Sequence, residues 1–334
     1  MAEAWGLDGP YFDDLAVGHV FEPAPAITVT GGMAAAYAAL AGDPLAIALS
    51  QPLAAQVTRE PGAVVNPALV LHVAIGQSTV ATRRVIANLF YRGVRVRRTV
   101  RVGTTLRTTV DVRGLRETSR KPGRPPRGMV LLGMRTVDEA GDVVVDFERC
   151  ALLPFRDAAA HTAHGDDVGG AESDVDITSW HDVIPRGWDL GPLGAPVSWA
   201  VGETRADPLR DTVTDAPALV RLTQNLAAAH RDASLGQRGR RLVYGGHTIG
   251  LAQASLVRLV PNTATVLGWQ YCDHVGPVFE EDVLSCSATL VADAPAPDGA
   301  PGRLLAFVVE VHAERDGSDD RHRVLDWCPV VYAP

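Results

Sequence analysis

Residues 223–230 read TQNLAAAH, near the end of the run DAPALVRLTQNLAAAHRDA. A neutral imidazole titrates near neutrality and can give or take a proton, so His230 is a candidate acid–base group. It needs room for a substrate; Leu226 is bulky, but Ala227, Ala228 and Ala229 leave that room. Asn225 has no basic lone pair. Its amide can orient a water but cannot be the general base. A second reading stands beside the first, since a histidine followed by an arginine suits a helix C-terminus, where the dipole favours cations. Spacing adds a constraint. Five residues of ideal helix turn through about 140°, which sets Asn225 and His230 on different faces. Either the helix ends near Leu226, or Asn225 is structural.

Other stretches hold groups of useful type. YGGH (244–247) places Gly245 and Gly246 ahead of an apolar helix. Bare backbone N–H groups there can stabilise a developing oxyanion, although a plain turn reads the same way. DHVGPVF carries Asp273 and His274 on a strand. Fourteen basic side chains fall between residues 83 and 127, with Arg95, Arg97 and Arg101 among them. Alternation along a strand puts such arginines on one face, either solvated or as guanidinium forks for phosphate or carboxylate. The basic loop KPGRPPRG (121–128) could meet an acidic carrier protein. No Walker-type or dinucleotide motif occurs, and no cofactor or metal is expected.

The chain that must position these groups has 334 residues, 46% apolar and 21% charged, a globular composition able to form a large core. Its formal charge of −8 argues against nucleic acid as a partner. Cys150, Cys272, Cys286 and Cys328 lack C-x-x-C spacing and read as reduced core thiols of a cytoplasmic protein. MAEAWGLDGPYFDD shows no basic segment leading into an apolar one, so no export signal is expected. No apolar window of about 18 residues occurs, so no membrane span is expected either.

The chain repeats itself. Residues 13–43 and 197–230 each give an A-V-G turn, a V-T pair and an alanine-rich helix. VVNPALVLHVAIGQS (64–78) answers LVYGGHTIGLAQAS (242–255) as a turn and a second apolar helix. Residues 90–115 and 268–293 each read as strand, turn, strand, with valine, threonine and period-two alternation. Each half closes on further strands, with EAGD and RDGSDD as hairpin turns. The pattern predicts two α+β units, each an antiparallel sheet wrapped on one main helix, over 1–155 and 195–334. Residues 156–194 read as a surface linker that Trp180 and Trp188 pin down.

These features resemble the MaoC-like hydratases of the hotdog superfamily. The opening YFDDLAVGHVFE is similar to the family's, and QNLAAAH, RRLVYGGHTIGLAQASL and DHVGPVFEED resemble its two-domain mesaconyl-CoA hydratase (β-methylmalyl-CoA dehydratase) branch. In the N-terminal half VLHVAIG, NLFYRGVRV, VGTTL and GLRE match the same branch. The resemblance covers nearly the whole chain apart from the linker. It implies a double hotdog, two fused units binding an acyl thioester at their interface, monomeric as a pseudo-dimer or a homodimer. The family signature is Gly-Asp-x-Asn-Pro-x-His, in which the aspartate activates water and the histidine handles the proton in a syn addition across an α,β-double bond. Here the N-terminal AGDPLAIAL keeps Gly42 and Asp43 but has Ala48 at the histidine position. The C-terminal half keeps His230 and has Asn225 at the aspartate position. Gln-Asn…His is usual in the mesaconyl branch, so Asn225 is compatible with a working site and leaves the base unassigned.

The resemblance implies a catalytic set of His230 and Asn225, with Asp43 reaching the pocket from the other half. It also implies a thioester and oxyanion region at Tyr244, Gly245, Gly246, His247 and His274. Arg95 and Arg97 are then candidates for the phosphates of CoA or of a carrier arm. Three functions follow. One is a hydratase/dehydratase of a short, dicarboxylic or neutral enoyl/3-hydroxyacyl thioester on CoA or acyl-carrier protein. The second is addition of an amine or internal hydroxyl to the same alkene. The third is a non-catalytic acyl-binding or partner subunit.

Overall fold

A computed structural model describes residues 8–170, 175–237, 239–315 and 320–334. Most of the expected RDGSDD turn, and the first seven residues of the expected leaderless N-terminus, lie outside the described residues. The N-terminal half runs β1 (Ile27–Thr28), α1 (Gly31–Ala41), α2 (Ala46–Leu49), α3 (Gln51–Thr58), α4 (Pro67–Ser78), β2 (Ala87–Val96), β3 (Thr105–Glu117), β4 (Arg127–Val137) and β5 (Val143–Pro154). The C-terminal half runs β6 (Thr204–Ala206), β7 (Asp211–Thr212), α5 (Ala216–Leu222), α6 (Gly245–Leu259), β8 (Thr265–His274), β9 (Val283–Pro295), β10 (Arg303–Glu314) and β11 (Arg321–Ala333).

All the strands belong to one antiparallel sheet of order β1-β3-β4-β5-β2-β8-β11-β10-β9-β6, with β7 paired to β9. Helix α4 packs on β3, β4 and β8, and α6 on β9, β10 and β11. Every residue of α4 is buried, as is every residue from Gly246 to Val257 of α6. Helices this rich in apolar and small residues bury best when enclosed, and here each half-sheet curls around its own helix. Asn66 starts α4 by accepting the Ala68 N–H, with Pro67 at the first helical position. This is the expected α+β double hotdog. One detail differs from a simple reading of strand, turn, strand. β2 and β3 are consecutive but not paired, because β2 crosses to the far side of β5 and joins β8.

That β2–β8 pairing makes the two halves one sheet. Tyr91 faces Cys272 and Val94 faces Trp269, the Tyr91 and Trp269 rings lie 5.6 Å apart, and Arg92 pairs with Asp273 at 2.7 Å. The duplication is close in register. Pro67 and Gly245 open the central helices 178 residues apart, and Ala87 and Thr265, Thr105 and Val283, and Val143 and Arg321 open matching strands at the same interval. The EAGD turn joins β4 to β5, with Gly141 at φ +87° and the Asp138 carboxylate accepting the N–H groups of Ala140 and Asp142. In the 156–194 stretch Trp180 and Trp188 are buried in a second core with Leu45, Val57 and Tyr332.

Two histidines sit in this interior with their charge suppressed. His72 of α4 is fully buried between Tyr37 and Tyr244, and burial, then the neighbouring His247, pushes its pKa down to about 3. Burial pushes His247 to about 4, against the pull of Asp215 and Asp211. The unfolded chain takes up these protons as pH falls through about 6.5, whereas the folded chain does not. The stability they confer is therefore complete above that pH and lost on the way down, to about 4 for His247 and about 3 for His72. At pH 5 the loss is about 2 kcal/mol per histidine. Urea unfolding of wild type and His72→Leu at pH 7 and pH 5 checks this. The variant is expected to lose about 2 kcal/mol less than wild type, and equal losses would mean that His72 does not carry the effect.

Candidate active site

The run 216–230 is not one helix. Helix α5 ends at Leu222, where the Thr223 hydroxyl donates to the Leu219 carbonyl and Gln224 turns into the left-handed region at φ +56°. A short 3-10 turn, Ala228–His230, follows. The break resolves the spacing difficulty, because it brings Asn225 and His230 onto the same cavity. The segment between them is docked on the other half. The Leu226 N–H donates to Thr79 Oγ1 at 2.8 Å and the Ala228 N–H to the Arg83 carbonyl at 3.0 Å. The Thr223 carbonyl lies where a Cβ on Gly76 would be, 1.9 Å away, so only glycine allows α4 to approach.

The cavity has a volume of about 250 Å³ and lies between the halves. Its apolar wall includes Val85, Ala87, Ala227, Leu242, Val278 and Val324. Its polar groups are Thr79, Thr82, Asn88, Tyr91 and Arg149 from the N-terminal half, and Asn225, His230, Gln237, Tyr244, Thr248 and His274 from the C-terminal half. No carboxylate lines it among the described residues.

His230 is oriented by backbone. Its Nδ1 lies 3.0 Å from the Leu242 carbonyl, and the Leu242 N–H returns a bond to the Ala229 carbonyl at 3.1 Å. A carbonyl only accepts, so Nδ1 carries the proton and Nε2 is left with the lone pair. Burial lowers the His230 pKa to about 4; the Leu242 hydrogen bond opposes this and Arg149 adds to it. The ring is neutral at pH 7. His274 is also lowered to about 4, by burial and then by His230, and its Nε2 is buried without a partner. The Tyr244 hydroxyl is likewise buried without a partner, and burial raises its pKa well above 10, so it remains a phenol able to donate. Its ring centroid is 5.6 Å from that of His230.

The two glycines of YGGH answer to these rings. A Cβ on Gly245 would lie 2.4 Å from the His274 imidazole, and one on Gly246 would lie 2.3 Å from the Tyr244 ring. Gly245 opens α6 and lines the cavity. Gly246 and His247 are not among the lining residues. His247 faces the interior beside His72 instead. Asn225 lines the cavity and is structural as well, since its Oδ1 accepts the Ala227 N–H at 2.9 Å and its carbonyl accepts from Arg231 Nε.

Asp43 holds the matching place in the first half, and it does not reach the cavity with His230. It follows left-handed Gly42 and accepts the Leu45 N–H, as Asn225 accepts that of Ala227. Its other oxygen accepts from Asn66 Nδ2 at 2.8 Å and from Gln253 Nε2 at 2.7 Å. Burial raises its pKa despite those bonds. Asp43→Asn would oppose two donors with a third and is expected to lower stability by about 1–3 kcal/mol. Turnover of an enoyl thioester is expected to stay within about threefold of wild type; a hundredfold loss in folded protein would bring Asp43 into the chemistry.

Arg95 and Arg97 are not brought to the cavity either. Ser179, Trp180 and Asp182 lie over them. Arg95 donates to the Ser179 carbonyl at 2.8 Å and stacks on Trp180 at 4.3 Å, and Arg97 pairs with Asp146 at 2.6 Å and with Asp182 at 2.7 Å. Carboxylates and an indole of the chain itself have taken the places of the expected phosphates.

A second cavity, of about 490 Å³, occupies the equivalent place in the duplication, with the start of α4, the end of β2 and Thr265–Leu267 on its walls. Among the described residues no histidine lines it, whereas Asp182–Arg186 and Trp188 do. At the 178-residue interval Val96 stands for His274, Asn66 for Tyr244 and Trp327 for Arg149.

Arg149, Thr82 and Asn88 are site residues that the sequence reading missed. A signal was present for Arg149. On β5 the inward positions 145, 147, 149, 151 and 153 read Val, Phe, Arg, Ala and Leu, all buried, so a single charge interrupts an apolar series.

No protein-family model matches the chain. It is 29% identical over 314 residues to the mesaconyl-CoA hydratase of Cereibacter sphaeroides, covering 90% of this chain and 89% of that one. A conserved hypothetical protein of Mycobacterium tuberculosis with a double hotdog fold is 43% identical, with a TM-score of 0.87 over 97% of this chain and 98% of that chain. A putative MaoC-domain dehydratase from Chloroflexus aurantiacus is 26% identical, with a TM-score of 0.85 over 99% of each chain.

Proposed function

Because the chain belongs to the MaoC-like double-hotdog proteins, we propose that it is a hydro-lyase that adds water to an enoyl-CoA, or removes it from the 3-hydroxyacyl-CoA, in the cavity around His230. The relative from Cereibacter is named for this reaction on mesaconyl-CoA. The observation that carries the reading is the cavity's chemistry. Among its lining groups the imidazoles are the ones with a usable basic lone pair, and the Leu242 carbonyl leaves that of His230 on Nε2.

In the hydration direction His230 Nε2 takes a proton from water as its oxygen bonds to the β-carbon. The alkene electrons move through the α-carbon to the carbonyl oxygen. The Tyr244 hydroxyl and the Gly245 backbone N–H at the start of α6 are the donors for that enolate. The His230 imidazolium then returns the proton to the α-carbon, which completes the addition of one water and restores the neutral ring. Asn225 holds the water, as an amide can without being basic.

The test follows the absorbance of a conjugated enoyl-CoA in water alone and then with glycine. Loss of absorbance in water, with one deuterium entering at the α-carbon in D₂O, is the expected result. Loss only with the amine would replace water by an amine nucleophile. Binding of the acyl-CoA without any change would make the protein an acyl binder.

A further inference from the structure

The buried arginine of the cavity has no anionic partner among the described residues. Arg149 is 3% exposed and lines the cavity with His230 and His274. Its Nη2 donates to Thr82 Oγ1 at 2.7 Å, it bonds the Tyr91 hydroxyl, and its Nε is buried without a partner. Among the described residues no carboxylate pairs with it. Other enclosed arginines are paired: Arg92 with Asp273 at 2.7 Å, Arg258 with Asp207 at 2.6 Å, and Arg315 with Asp282 at 3.0 Å. A guanidinium held in a buried place without a counter-charge is costly unless an anion arrives. A second observation lies beside it. Both side-chain polar atoms of Asn88 are buried without a partner, and Asn88 lines the same cavity.

We propose that Arg149, assisted by Asn88, binds a carboxylate carried on the acyl chain of the thioester, so that Arg149 sets the specificity of the site for a dicarboxylic acyl group. This rests on the hydro-lyase reading above. A planar guanidinium and an amide N–H present several donors to the two oxygens of one carboxylate. The phosphates of CoA are the other anions a thioester brings. They hang at the far end of the pantetheine arm and cannot share about 250 Å³ with the reacting carbons at His230. The clamp comes from β5 of the first half and the proton-handling imidazole from the second. That division explains why the first half is retained although no histidine among the described residues lines its own cavity.

The experiment pairs two enoyl-CoA substrates of equal length, one ending in a carboxylate and one in its methyl ester. They are measured on wild type, Arg149→Gln, Arg149→Lys and Thr82→Val. Wild type is expected to favour the carboxylate by on the order of 100-fold in kcat/KM, because a buried charged donor left unpaired rejects the neutral analogue. Arg149→Gln is expected to abolish that preference, losing about 100-fold on the carboxylate substrate and staying within about threefold on the ester. Arg149→Lys and Thr82→Val should fall between. Calorimetric binding of succinyl-CoA and butyryl-CoA reads the clamp without turnover. Succinyl-CoA should bind more tightly to wild type and lose that advantage in Arg149→Gln. Equal losses on both substrates, or a wild type that does not discriminate, would overturn the clamp while leaving the hydro-lyase intact. Arg149-dependent succinyl-CoA binding without turnover of either enoyl-CoA would sink the hydro-lyase and leave the clamp. Should Arg149→Gln fail to fold, Thr82→Val and the wild-type preference decide.

Discussion

His230→Ala is expected to lower kcat/KM for an enoyl-CoA by on the order of 10³-fold or more, with unfolding free energy changed by about 1 kcal/mol or less. The cavity has no carboxylate among the described residues, so no other lining group of comparable basicity is positioned as His230 is. His274 is the alternative imidazole, but its Nε2 is unpartnered, whereas His230 has its tautomer fixed by the Leu242 carbonyl. His230→Gln sharpens the test. Its amide N–H can still reach toward Leu242 while supplying no base, so it should fold like wild type and fail like alanine. The pH profile adds an independent reading. Burial holds His230 at about 4, so the lone pair is present through neutrality, and protonation removes it only in acid. The acid limb of kcat/KM should therefore lie near pH 4, with a flat profile between about pH 5.5 and 8. A limb near 6.5 would point to a solvated imidazole elsewhere, and wild-type-like turnover in His230→Ala would remove the ring from the mechanism.

The architecture was legible in the sequence because it is written twice. α4 and α6 read as apolar helices rich in small residues, the strands alternate, and the two copies keep one interval through 66–117 and 244–295. Strand order was less so, since the crossing of β2 to β8 is fixed by contacts between halves, such as Tyr91 with Trp269, that neither copy declares alone. In the site, His230, Asn225, Tyr244, Gly245 and His274 line the expected cavity. Asp43, Gly246, His247, Arg95 and Arg97 do not. The four side chains among these have the right chemistry, but their surroundings use them elsewhere. Two amides hold Asp43, α6 turns His247 toward His72, and linker residues occupy the arginines. Arg149 escaped notice for the opposite reason. A lone arginine in strand text looks like a surface residue until the parity of its neighbours is counted.

Gly245→Ala is expected to cost at least 100-fold in kcat/KM and about 1–3 kcal/mol in stability, although it adds one methyl group. That methyl would lie 2.4 Å from His274 Cε1 and 2.8 Å from its Nε2. The imidazole has little room to retreat, because its ring lies 5.9 Å from that of Tyr91, whose centroid is 5.6 Å from that of Trp269. The helix cannot readily shift either, since nearly all of α6 is packed inside its sheet. Something at the junction of α6 and β8 must give, and Gly245, whose N–H is an enolate donor in the proposed chemistry, lines the cavity beside the His274 ring. If the clash is the cause, removing the ring should relieve it. Gly245→Ala/His274→Ala should then be more stable than the sum of the two single changes by about 1 kcal/mol or more, a coupling that a double-mutant cycle measures directly. Activity should not return with stability, because the added methyl group still stands on the cavity wall beside the Gly245 N–H. Additive stabilities, or a Gly245→Ala enzyme that turns over normally, would mean that the glycine is there for the turn and not for the ring that faces it.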